Sequence, residues 1–153
     1  MKLLLAAMAL IGTVSSTVAA PWVFEADETS RSAYQWVDGS ANVLLGYECD
    51  SVWQIDGFYI QTEDQFDPAA GYAPDVPTQF VIDGVPQAVT GVFQDRDGYV
   101  FTYYGVSFDG AVPLFNSLIA AEDRIDVQFY DKSYSFSAEG AAEAISQAAV
   151  GCS

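Results

Sequence analysis

From Trp22 onward, apolar residues fall into short runs rich in β-branched and aromatic side chains, alternating with polar ones and cut by Gly, Pro and Asp. A period of two is the mark of half-buried strands. Read this way, the chain holds strands at 22–25, 33–37, 42–49, 52–61, 78–82, 88–94, 99–106 and 124–130, with a short one at 134–137. Asp38-Gly39, Asp50-Ser51 and Asp95-Arg96-Asp97-Gly98 separate neighbours as turns, and Asp83-Gly84 reads as another. The stretch 63–77, broken by Pro68, Gly71, Pro74 and Pro77, reads as one long surface loop.

Two segments carry helical spacing instead. Pro113 at a first helical position, followed by Leu114, Phe115, Leu118 and Ile119, predicts a short helix. A second is predicted from an N-cap at Ser137 to Val150, with Ala141, Ile145, Ala148 and Cys152 on one face. The fold class is therefore mainly β (α+β): an antiparallel β-sandwich or barrel with a short helix and a C-terminal helix.

The extreme N-terminus has a different grammar. Lys2, the apolar run 3–11 and the small and polar residues 12–20 form the three parts of a secretory signal, with cleavage expected after Ala19 or Ala20. The apolar run falls short of the roughly 20 residues that span a bilayer. The expectation is a signal peptide at 1–20 and one acidic β-rich domain at 21–153, periplasmic or secreted, with no membrane insertion after cleavage.

Export changes the reading of the two cysteines. In an oxidising compartment an even pair points to a disulfide, here Cys49–Cys152. The bridge would tie the C-terminal helix to a strand across a loop of about 100 residues, worth up to ~4–5 kcal/mol in the chain-entropy model. A reactive thiol pair would want close spacing and a positive neighbour, whereas Cys49 lies between Glu48 and Asp50.

The formal net charge of the full chain is −16. Residues 21–153 keep Arg31, Arg96, Arg124 and Lys132 as their only basic side chains, against 21 acidic ones. Such a field repels phosphate backbones and anionic lipids, which argues against nucleic acid as a partner; it either attracts a cationic partner or divalent cations or serves only solubility, as in a salty habitat. Nine Tyr, ten Phe and three Trp supply enough apolar surface to fold despite that charge.

The order of elements in the later chain resembles a known family. A strand ending in Cys49, the run Phe80-Val81-Ile82-Asp83-Gly84, the helix 113–121 feeding Ile125-Asp126-Val127, then Phe136, Gly140, Ala144-Ile145 and a final Cys152 are similar to the TagO/VasI proteins. The likeness spans the C-terminal two-thirds in outline and is sharpest over the last forty residues or so. Val81 stands where that family has an Arg, and no Trp follows Cys152. The resemblance implies an exported accessory protein of type VI secretion.

Catalytic chemistry is sparse. The chain has no His, which removes Ser-His-Asp and Cys-His arrangements and His-based zinc sites. Carboxylate pairs of the glycosidase kind require only separation, and 21 acidic residues provide that without specificity. Aromatic residues such as Trp53 and Tyr103 read as core. Asp95-x-Asp97-Gly98 resembles part of an EF-hand loop, but Phe93 and Tyr104 would fall at the first and twelfth positions, where carboxylates are needed. Glu63-Asp64-x-x-Asp67 is at most an unspecific cation site. The expectation is no catalytic residue, cofactor or resident metal, and a non-catalytic binding or accessory protein whose partner is another envelope protein. The rival readings are an inhibitor or immunity protein against a basic toxin, and a carboxylate-dependent hydrolase.

Overall fold

The computed structural model describes residues 21–152 other than 38, 39, 41 and 106–109. The expected signal peptide, the Asp38-Gly39 turn and Val106 thus lie outside the described residues. Nine strands run in the order β1 (Val23–Ala26), β2 (Ser30–Trp36), β3 (Leu44–Asp50), β4 (Ile55–Gln65), β5 (Asp75–Ile82), β6 (Val85–Arg96), β7 (Tyr99–Gly105), β8 (Arg124–Phe129) and β9 (Lys132–Ser137). Helix α1 (Ala111–Ile119) joins β7 to β8, and α2 (Ala141–Ala149) follows β9.

All pairings are antiparallel, and one sheet has the order β1-β2-β3-β4-β7-β6-β5-β8-β9. The fold is the expected mainly antiparallel one with two helices, and the sheet is not closed. Side chains fasten its edges instead. The Trp22 backbone N–H donates to the Glu139 carbonyl (3.1 Å), and its indole N–H donates to the Ser137 carbonyl (2.9 Å), so the leader of β1 meets the end of β9. At the other end of β9, Lys132 Nζ reaches Glu63 (3.1 Å) and Asp64 (2.8 Å) on β4. Tyr134 donates to Glu63 as well (2.6 Å). Burial opposes the Lys132 charge, but the hydrogen bonds to Asp64 and Glu63 outweigh it and hold the ammonium protonated above its ordinary range.

The main core lies between the sheet and the helices. Tyr47, Phe58, Phe80 and Ile125 meet Leu114 and Leu118 of α1 and Ile145 of α2, all at most 1 % exposed. The small side chains of Ala141, Ala144 and Ala148 let α2 lie close against β1, β2 and β3.

β3 is buried along its whole length, so the outer face also needs a cover. Tyr59, opposite Gly46, lays its ring over that glycine and stacks on Phe101 at 4.8 Å. A Cβ at Gly46 would stand 2.5 Å from the ring. Arg96 roofs the stack, its guanidinium 5.7 Å from Tyr59 and 5.4 Å from Phe101, and ends in a forked ion pair with Glu48. A buried carboxylate is tolerable only with such a partner.

Four departures from the expected elements have a visible cause. The loop expected at 63–77 shrinks to 66–74, because β4 continues to Gln65 and β5 begins at Asp75. Phe66 donates its N–H to Gly98 O (2.8 Å), and Tyr72 stacks on Phe93 at 4.3 Å, which holds the short loop down. Pro77 sits where β5 pairs with β6 alone, since β8 joins only at Gln79, and a strand tolerates a missing N–H there. Ser137 ends β9 and is not the N-cap of α2; that place belongs to Gly140 at φ 80°, a left-handed backbone packed 3.6 Å from Trp22 N at its virtual Cβ. Pro113 is the third residue of α1, where its absent N–H is still one of the orphans of the first turn. The fourth departure, at the start of β4, bears on the site described next.

The outer cover has no slack at Gly46. Replacing Gly46 by Ala should cost roughly 1–3 kcal/mol in urea unfolding, the usual toll of overpacking; an unchanged midpoint would show that Tyr59 is free to move aside.

Candidate functional site

The expected strand 52–61 begins only at Ile55, and the reason is Asp50. Its Oδ1 accepts the backbone N–H groups of Val52 and Trp53, both at 2.8 Å, and bends residues 51–54 into a turn between β3 and β4. Gln54 closes that turn in the left-handed region at φ 54°. Trp53, read from the sequence as core, therefore stands at a hairpin tip with 77 % of its surface exposed, and Val52 beside it is 63 % exposed. Tyr103, the other aromatic read as core, is half-buried against the Tyr59–Phe101 stack and accepts the Asp56 N–H at 3.0 Å.

The tip is braced from two sides. Ser51 donates both its N–H (3.0 Å) and its hydroxyl (3.1 Å) to the Thr29 carbonyl, linking it to the β1–β2 turn. That turn is itself built on Asp27, whose Oδ1 accepts the N–H groups of Thr29 and Ser30 at 2.8 Å each. Those two donors hold the Asp27 carboxyl below its ordinary range. On the other side stands the Cys49–Cys152 disulfide, with Cα atoms 5.6 Å apart and a sequence separation of 103. It joins the last turn of the chain to the strand that carries the tip, as the sequence reading expected.

Three segments far apart in sequence thus form one pole: 27–31, 49–56 and 150–152. A cavity of about 330 Å³ lies between Cys49, Asp50, Ser51, Gln54, Asp56 and Cys152. A second of about 200 Å³ lies between Asp27, Thr29, Arg31, Ser51 and Val150. Val150 is 62 % exposed, so the pole carries three outward apolar side chains among the carboxylates of Asp27, Glu28 and Asp56.

The other residues singled out from sequence take structural places. Asp97 (φ 55°) and Gly98 (φ 82°) form the tight hairpin turn, with Asp95 accepting the Gly98 N–H at 3.2 Å. Glu63 and Asp64 are taken by Lys132, and Asp67 bonds the N–H of Ala69 at 2.9 Å, so the three do not form a cation site. Asp83 and Gly84 make the β5–β6 turn, and the Asp83 carboxylate accepts the N–H groups of Glu122, Asp123 and Arg124, which orders the link between α1 and β8. Among the described residues no group of three His, Cys, Asp or Glu is placed to hold a metal ion.

Comparison with family models, with curated proteins and with solved structures finds no match to this chain.

The Asp27 brace has a pH signature. Its carboxyl titrates lower in the folded chain than in the unfolded one, so the brace is intact above the ordinary value and is lost as pH falls through the lowered one. The Thr29 and Ser30 amide resonances should therefore titrate with a midpoint below the ordinary Asp value of about 3.9, and an Asp27→Asn chain should show no such transition. A midpoint at or above the ordinary value would contradict the brace.

Proposed function

We propose that this chain is a non-catalytic binding protein exported to the bacterial cell envelope, periplasmic or secreted, and accessory to secretion in the manner the TagO/VasI resemblance implies. The observation that carries the reading is Trp53: the largest apolar side chain of the hairpin tip is 77 % exposed, while the backbone beneath it is fixed by Asp50. Val52 beside it and Val150 across the pole are also exposed, so the tip presents a small apolar group of the kind in which aromatic anchors recur at the centres of protein interfaces.

The carboxylates support binding over hydrolysis. Asp50 and Asp56 line one cavity, but Asp50 is committed to the tip N–H groups and Asp56 accepts the Tyr47 hydroxyl at 2.6 Å. Burial and that hydrogen bond push the Tyr47 hydroxyl well above its ordinary value, so it stays a donor. Each carboxylate serves the fold. The sequence holds no His to act as base, and both cysteines are joined.

Affinity purification of the tagged chain from an envelope extract should bring down one partner in near-stoichiometric amount. A chain recovered alone, or one that degrades a glycan panel with activity abolished by Asp56→Asn, would overturn the proposal.

A further inference from the structure

We infer that the disulfide pole is the docking surface, and that its partner is a cationic protein with an apolar pocket into which Trp53 inserts. This rests on the binding reading above and names the surface and the chemistry of the occupant.

Geometry selects the pole. Trp53 is the most exposed of the large apolar side chains among the described residues, and Val52 and Val150 extend its apolar area. The tip does not need ordering on binding, because Asp50, the Thr29–Ser51 hydrogen bonds and the disulfide already hold it. A preordered anchor avoids much of the entropic cost of association. The two flanking cavities give a partner surface relief to follow.

Charge selects the occupant. Asp27 and Glu28 line the cavity beside Val150 and Asp56 lines the one beside Gln54 and Ser51 of the tip, with Arg31 as the one basic side chain lining either cavity. Behind them stands a chain of net charge −16, a field that draws cations from beyond contact range. The same field turns away anionic lipid and nucleic acid, and a second copy of this pole would set carboxylates against carboxylates. A basic protein surface satisfies both the apolar anchor and the acidic rim.

Two other places serve the proposal less well. The groove of about 650 Å³ beside Pro77, Thr78 and Tyr130 borders the half of β5 that lacks a second neighbour, but Pro77 removes a donor that an added strand would use. The Lys132–Glu63–Asp64–Tyr134 cluster is consumed in fastening β9 to β4.

The test places a photo-crosslinking amino acid at position 52, which keeps Trp53, or, as a control in the β6–β7 turn, at position 97. Each chain is exposed to the envelope extract of the producing bacterium after division by cation exchange into basic and acidic pools. Adducts are expected from position 52 with a protein of the basic pool and not from position 97. Unlabelled wild-type chain should compete for that adduct at least tenfold better than Trp53→Ala. Raising the salt from 50 to 300 mM should lower the yield severalfold. Asp50→Ala keeps Trp53 and loosens the tip, so it should compete with intermediate strength. An adduct drawn from the acidic pool, or equal competition by Trp53→Ala, overturns the inference. Adducts from position 97 alone overturn this surface and leave the binding reading standing. No adduct from either position removes both.

Discussion

The link between Cys49 and Cys152 is the constraint on which the other features turn. An open sheet of nine strands has two edges and a face to cover, and α2 covers its β1–β3 end with alanines that bury little area each. Such a helix is held in place by its ends: at its start by Gly140 against Trp22, and at its finish by the bridge to β3. The same bridge sits beneath the Asp50 turn, so one covalent bond fixes both the helix and the exposed tip. The C-terminal lid and the proposed docking pole are therefore one mechanical unit.

Electrostatics divides the carboxylates into two populations. One is engaged by the fold: Asp27, Asp50 and Asp83 accept backbone N–H groups, while Glu48, Glu63, Asp64 and Asp126 hold Arg96, Lys132 and Arg124. The Arg124–Asp126 pair, whose guanidinium faces solvent, contributes little, whereas the Arg96–Glu48 pair covers an aromatic stack and keeps a buried carboxylate compensated. The other population, which includes Glu28, faces solvent with few cations to offset it. With Arg96, Arg124 and Lys132 held in ion pairs, most of the negative surface field is available to act on a partner.

Much of this fold is written plainly in the chain, because alternation and turn chemistry are local. Asp83-Gly84 and Asp97-Gly98 turn where their residue types require. Elements defined by distant contacts are harder to read. The prolines of 63–77 hid the ends of β4 and β5, since the Phe66–Gly98 hydrogen bond and the Tyr72–Phe93 stack that extend order into that stretch join residues about 20–30 apart. Ser137 has the chemistry of an N-cap, but the Trp22 contact moves the start of α2 to Gly140. For Trp53 the signal was present and outweighed: Val52-Trp53 reads as strand by propensity, while an Asp two and three positions earlier is the signature of a turn that lifts both residues out of the sheet. Nothing local marks the convergence of 27–31 with 150–152, which the disulfide and the β1–β2 turn bring about.

The most direct test of this account is peptide mapping by mass spectrometry of the chain purified without reductant and alkylated while unfolded. The account predicts a single linked pair of peptides carrying Cys49 and Cys152, with no alkylated cysteine. Two alkylated thiols would separate the helix from the sheet and the tip from its support, and would contradict the architecture together with the function built on it.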